Sequence, residues 1–252
     1  MHIYRCQLTL MEKTFFSSRE TSNYYYTEPL IGNYALAYAM GLCPSRYESD
    51  GSIHYYTDLN DLNERGVYVT PATIMGQPRF FVEQFNAQPE SYWFAMGSGV
   101  LVTRPDGTRM EQNNKVWYIH RPDGGRKKVS ATNRPQYGRI RYLAVDNRAI
   151  YYVLSQAPLQ LPSYIRLGKF MSKARLQYEK IDYSTEESAA YQVPFLLNPA
   201  DLSEKTQLQT YDLVTVPPSP LVKNAHLRGP SYKLPGIVQL PVGMRFGIEA
   251  LG

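Results

Sequence analysis

The chain has 252 residues, of which 43% are hydrophobic, and a formal net charge of +5, enough apolar sequence to bury one large core or two small ones. No run of 18 apolar residues is present, which argues against a membrane-spanning helix, and the opening MHIYRCQLTLMEKTFF lacks the charged start, long apolar stretch and small-residue cleavage site of a secretory signal. Cys6 and Cys43 lie outside any CxxC pattern and read as core residues, so the expectation is a cytoplasmic protein without a disulfide framework.

The first strand is read from Tyr4, Cys6, Leu8 and Leu10, which alternate with Arg5, Gln7 and Thr9. A polar loop, SSRETSNYYYT, follows and ends in a helix start, with Thr27 as cap and Glu28 and Pro29 in the first turn. Leu30, Ile31, Tyr34, Ala35, Ala37, Tyr38 and Leu42 then repeat at helical spacing, and Gly41 marks the stop. An irregular Tyr-rich connection leads to short strands at 66–75 and 91–103. Hairpin turns are read at Pro105-Asp106-Gly107 and at Arg121 to Gly124, where Arg-Pro-Asp-Gly recurs between Val116-Trp117-Tyr118-Ile119 and Arg126-Lys127-Lys128-Val129. A third turn at Asp146-Asn147 joins 139–145 to 149–154.

Beyond Tyr183 the sequence reads as rich in loops, because Pro217, Pro218, Pro220, Pro230, Pro235 and Pro241 punctuate it. Asn198 to Leu202 predicts a short helical turn, and 235–247 a pair of short strands. The predicted fold class is α+β: a core over 1–183 with β-hairpin insertions at about 91–155, and a Pro-rich extension of the same domain over 184–252.

Charge is sorted along the chain. Residues 115–141 hold eight Lys and Arg against one Asp, and residues 162–180 hold five against one Glu; the flanking 1–65 and 181–212 are net acidic. Two basic blocks between acidic ones, with 22 tyrosines to supply stacking rings, point to a polyanion. The alternative is that these cations face only water.

The stretch YIRLGKFMSKARLQYEK, 164–180, admits two readings. As a helix it lines up Arg166, Lys169 and Lys173; as a strand from Ser172 it places Lys173, Arg175, Gln177 and Glu179 on one face and Ala174, Leu176 and Tyr178 on the other. Alternation favours the strand. Arg166-Leu167-Gly168-Lys169 reads as a tight turn whose glycine lets the backbone bend or approach a ligand.

Catalytic signatures are sparse. His2, His54, His120 and His226 fall in no metal-ligand spacing, no cofactor motif is found, and GxSxG, phosphate-loop and dinucleotide-binding patterns are missing. Gly97-Ser98-Gly99 lacks the lysine of a phosphate loop and reads as the approach to a strand. One chemistry fits the residue types at hand, metal-free RNA cleavage with His120 as base beside Tyr118, Arg121 and Arg126-Lys127-Lys128; the other reading of His120 is an ordinary strand end.

Ile3-Tyr4-Arg5-Cys6, Thr27-Glu28-Pro29, Asn33-Tyr-Ala-Leu-Ala-Tyr-Ala and above all Ile165-Arg-Leu-Gly-Lys-Phe-Met-Ser-Lys-Ala-Arg resemble the Csc-one group, the Cas-five-type RAMP subunit of type I-D CRISPR effector complexes (Cascade). The resemblance implies a ferredoxin-like, RNA-recognition-type core with a β-hairpin thumb. It further implies a non-catalytic subunit that holds the 5′ handle of the guide RNA, abuts the backbone subunits and the large subunit, and helps engage target DNA at the protospacer-adjacent motif. Relatives in type I-C systems cut precursor RNA, which keeps the His120 nuclease as an alternative.

Holding an unpaired RNA requires cations along phosphates, backbone amides near a glycine, and rings for unstacked bases. Arg166, Gly168 and Lys169 supply the first two, and Lys173 and Arg175 extend the track. Tyr164 and Phe170 are the nearby rings, with Phe170 read as core. A second RNA or duplex contact is expected from Arg126, Lys127, Lys128, Arg139 and Arg141, and a third, shared with protein partners, from Arg19 and Tyr24 in the loop after the first strand.

Overall fold

The computed structural model describes residues 1–21, 23–44, 55–87, 101–103, 107–113, 116–129, 136–236 and 238–248. Its strands in the first half are β1 (His2–Leu10), β2 (Arg19–Thr21), β3 (Tyr24–Tyr26), β4 (Leu30–Ile31), β5 (Val67–Val69), β6 (Ala72–Ile74), β7 (Phe80–Ala87), β8 (Leu101–Thr103), β9 (Arg109–Asn113), β10 (Val116–His120) and β11 (Arg126–Val129). The second half adds β12 (Gln136–Leu143), β13 (Arg148–Ser155), β14 (Tyr164–Leu167), β15 (Ser172–Ile181), β16 (Ser184–Val193), β17 (Gln207–Val214), β18 (Leu221–Leu234) and β19 (Val238–Pro241). Two α-helices, α1 (Asn33–Ala39) and α2 (Tyr55–Glu64), complete the described residues with a 3-10 turn at Pro199–Asp201. The molecule is thus mostly antiparallel sheet with two helices, and no described helix is long and apolar enough to cross a membrane.

The chain divides into two units, one formed by Met1–Thr21, Tyr25–Val82 and Arg141–Gly252, the other by Ser22–Tyr24 and Glu83–Ile140. The first unit is built on a sheet ordered β14-β15-β1-β13-β6-β4, with β5 also on β13. The alternation read in the first ten residues sets its centre. Cys6, Leu8 and Leu10 are fully buried in one cluster with Leu36 and Ala37 of α1 and Leu59 and Leu62 of α2, and Ile3, on the other face by the period of two, is fully buried as well. Both neighbours of β1 are antiparallel, with Tyr4 opposite Val153 and Lys180. The two thiols join this core, where burial pushes Cys6 and Cys43 each up to about 12, so they are inert fillers.

Five expectations are corrected. The first helix starts later than its spacing suggests: Leu30 and Ile31 pair with Thr73 and Ala72, Gly32 takes the N-cap, and the Thr27 hydroxyl bonds instead to the backbone of Phe16. Pairing in the sheet satisfies two buried apolar residues that a helix would have carried equally well. The polar loop after β1 contains β2 and β3, the 66–75 strand is broken at Thr70-Pro71 into β5 and β6, and the irregular connection contains α2. Finally, the turn at Asp146-Asn147 forms, with Asn147 bonded to Arg79 and Ala144, but β12 and β13 enter different sheets.

The region beyond Tyr183 is sheet rather than loop. β18 runs 14 residues between β16 on one side and β17 and β19 on the other. Pro230 is tolerated because its carbonyl, and so its missing donor, faces the edge where the neighbour changes from β17 to β19, with Val242 N–H donating to it at 3.1 Å. The helical turn at Asn198 forms as read, its side chain capping Ala200 N–H. In the second unit β8-β9-β10-β11 form a meander, and the Arg121–Gly124 turn joins β10 to β11 with His120 opposite Arg126. Of the predicted 91–103 strand only Leu101–Thr103 lies within the described residues; His54, Gly97-Ser98-Gly99 and Pro105-Asp106 lie outside them.

Candidate nucleic-acid interface

The strand reading of 164–180 is the one the backbone adopts. β14 and β15 form a hairpin at the sheet edge, pairing Tyr164 with Arg175 and Arg166 with Lys173. Leu167 belongs to β14, and the reversal runs from Gly168 to Met171, closed by Met171 N–H to Gly168 O at 3.1 Å. Gly168 (φ +72) is explained by packing: a Cβ there would sit 2.4 Å from the Phe15 carbonyl, which also accepts the Lys169 N–H at 2.9 Å. That amide is therefore committed within the chain, and the cations, not the backbone, carry any phosphate contact. Phe170, expected in the core, is 58% exposed and stacks on Phe15 at 5.6 Å.

Arg166 and Lys173 face each other across the hairpin, two like charges directly opposed, an arrangement that weakens a bare strand pair. Each is partly absorbed: Arg166 donates to Met171 O at 2.9 Å, and the Lys173 ammonium lies 4.5 Å from the centre of the exposed Tyr164 ring. The Glu12 carboxylate accepts the Lys173 backbone N–H at 2.8 Å.

This edge forms one wall of a cavity of about 960 Å³. Arg166, Gly168, Lys169 and Lys173 line it from the hairpin, together with Tyr34, Tyr38 and Tyr55 from the helical layer and Val216 to Ser219 from the β17–β18 connection. Among the described residues three cations line the cavity and no carboxylate does. The phenols add no negative charge: burial pushes Tyr34 up to about 12, and burial with a 2.7 Å bond to the Asp58 carboxylate raises Tyr38 further. A smaller adjoining cavity shares Ser18 and Val216 to Pro218 and adds Arg19, whose guanidinium is 3.3 Å from Glu28. Folding thus brings together Arg19 and the 166–173 block, which the sequence reading kept apart. Arg175 stays exposed on β15 and does not line the cavity.

The aromatic wall was missed in the sequence. Tyr34 and Tyr38 repeat at i, i+4 and read as core; Pro217 and Pro218 are too distant in the chain for spacing to connect them with Lys169.

The remaining candidates lie elsewhere. Arg126, Lys127 and Lys128 are exposed on β11 of the second unit, Arg126 5.4 Å from the Tyr118 ring centre, and Arg139 and Tyr24 belong to that unit too. Arg141, in the first unit, is occupied by the fold, donating to Thr27 O at 3.1 Å with its guanidinium over Phe80 and Tyr26. His120 Nε2 lies 2.9 Å from Glu111 Oε2, with Arg126 3.8 Å from the same oxygen. Among the described residues no group of His, Cys, Asp and Glu is arranged to hold a metal ion.

One buried acid stands apart. Asp201, fully buried, accepts bonds from Asn33 Nδ2 (2.7 Å), Tyr68 hydroxyl (2.8 Å) and Gly247 N–H (2.8 Å), tying three remote segments together. Burial raises its carboxyl to about 7 against the pull of those donors.

The family model described as type I-D CRISPR-associated protein Cas5/Csc1 matches residues 1–249. No curated protein matches the chain. Among solved structures, a chain of a cryo-EM structure of the type III-B Cmr-beta bound to cognate target RNA and AMPPnP is similar at 13% identity, over 89% of this chain and 86% of that chain, with a TM-score of 0.41. Likeness at that level supports no functional inference.

Proposed function

We propose that this chain, which belongs to the type I-D CRISPR-associated Cas5/Csc1 family, is a non-catalytic effector subunit that holds the 5′ handle of the guide RNA along the β14–β15 edge and, with the large subunit, engages target DNA at the protospacer-adjacent motif. The observation that carries the reading is that Arg166, Lys169 and Lys173 line the cavity together, with no lining carboxylate among the described residues. Such a lining attracts a phosphodiester chain, and Arg175 and Arg19 prolong it at either side. The core is ferredoxin-like in this reading, and the β9–β11 meander, with Arg126, Lys127 and Lys128, is the thumb that reaches guide RNA or target duplex, a contact to which Arg139 of β12 adds. Tyr24 and Arg19 serve the same interface or that of a backbone subunit. Arg141 contributes least, its guanidinium being spoken for.

Reversing Lys169, Lys173 and Arg175 together to Glu tests this. Affinity for single-stranded repeat RNA at fixed salt is expected to fall at least tenfold while the melting temperature holds; unchanged affinity overturns the site. The 2.9 Å His120–Glu111 contact, which orients an imidazole, favours a second reading as a metal-independent ribonuclease. Incubating the protein with repeat RNA in EDTA separates the two: intact RNA is expected, and cleavage lost in His120→Ala establishes the second.

A further inference from the structure

The cavity beside the β14–β15 edge is larger than phosphate binding requires. Besides the three cations of the hairpin its lining is aromatic and aliphatic: Tyr34 and Tyr38, whose ring centres lie 5.6 and 5.9 Å from that of Tyr55, with Val216 and Pro217. A phosphodiester alone has no use for such a surface, and water gains little from it. At about 960 Å³ the space falls in the range of roughly 300–1,000 Å³ typical of small-ligand pockets. Tyr164, 52% exposed and held under the Lys173 ammonium, stands at the cationic side.

We infer that this cleft is a nucleotide pocket: one base of the bound strand leaves the stack and enters the aromatic depth while its phosphate rests on Arg166, Lys169 and Lys173. The inference rests on the RNA-holding reading above and adds to it where a base goes. The occupant is set by charge complementarity. A polypeptide segment filling an apolar cleft gains little from three cations in its lining; a nucleotide matches both features, a flat apolar ring and an anion one linkage away. It also relieves the opposed Arg166–Lys173 pair, which no lining carboxylate among the described residues offsets. Recognition here is by stacking and shape, which tolerates more than one base.

Gly32 offers a clean probe. It lines the cleft, its φ of −64° suits any residue, and a Cβ added there meets nothing within 4 Å, so Gly32→Phe places a ring in the cleft at little cost to the fold. Binding of a fluorescently labelled single-stranded repeat RNA is measured for the full-length protein, for Gly32→Phe and for Ala35→Trp, alongside a set of the same RNA carrying one abasic nucleotide at each position in turn. Wild type is expected to lose about tenfold at one abasic position, as for a single stacked base. The filled cleft is expected to lose a similar factor on intact RNA and nothing further on that abasic RNA.

If no abasic position costs wild type more than twofold, or if the filled cleft binds intact RNA as wild type does, the pocket is overturned. The edge still stands provided the Lys169, Lys173 and Arg175 reversal weakens binding; if that triple variant is also unaffected, both ideas fall. A filled cleft that leaves RNA affinity intact but blocks association with another effector subunit assigns the space to polypeptide, which also overturns the proposal. Should both filled variants melt early, the abasic scan on wild type decides alone.

Discussion

Single side chains in this molecule carry more structural weight than their types suggest. At Gly168 a positive φ and the Phe15 carbonyl together exclude a Cβ, so Gly168→Ala is expected to cost about 1–3 kcal/mol in denaturant unfolding. Arg141 spans Thr27, Tyr26 and Phe80; Arg141→Ala is expected to lower stability by about 1–2 kcal/mol with RNA affinity within twofold of wild type, a separation that a direct phosphate contact would reverse. Asp201 makes stability depend on pH. Its carboxyl is raised by burial from 3.8 to about 7, so the folded state holds the proton more tightly. The resulting stabilisation is complete below pH 3.8 and disappears as pH climbs through about 7. Measured as wild type minus Asp201→Asn, the stability difference is expected to decline by a few kcal/mol over that window; a flat difference refutes the assignment.

Among the elements, strands with one buried face were the most legible. Alternation named Tyr4, Cys6, Leu8 and Leu10 in β1 and Ala174 and Leu176 in β15 as buried, because a period of two leaves few alternatives; Tyr178, read on the same face, is instead exposed where β15 runs out of the core. What stayed hidden has physical reasons. α2 carries Tyr55, Leu59 and Leu62 on one face but sits beside a stretch rich in Asp, Gly and Ser, so flanking composition masked its periodicity. β18 was obscured by Pro230, since a proline's cost in a strand depends on which neighbour it faces, a fact of tertiary structure. Two substitutions probe that account: Pro230→Ala is expected to change stability by less than about 1 kcal/mol, whereas Gly229→Ala is expected to cost about 2 kcal/mol or more. The glycine holds φ +136, and a Cβ would lie 2.4 Å from the Lys205 carbonyl.

For the whole molecule, charge sorting along the sequence located one cationic wall of the candidate site but not the aromatic wall, which is assembled from α1, α2 and the β17–β18 connection. Periodicity sees one segment at a time, and a cleft is made by several. Binding of RNA through three to five cations predicts a log–log slope of affinity against salt of about −2 to −3.5, obtained by titrating at several salt concentrations; a slope near zero removes the phosphate contacts. The central place of β1 has a consequence for the nascent chain. β1 is translated before either of its neighbours, which follow with 148–155 and then 172–181. Until then an amphipathic ribbon has both edges open, which makes β1 the natural client for a holding chaperone and a point of failure when translation outpaces folding.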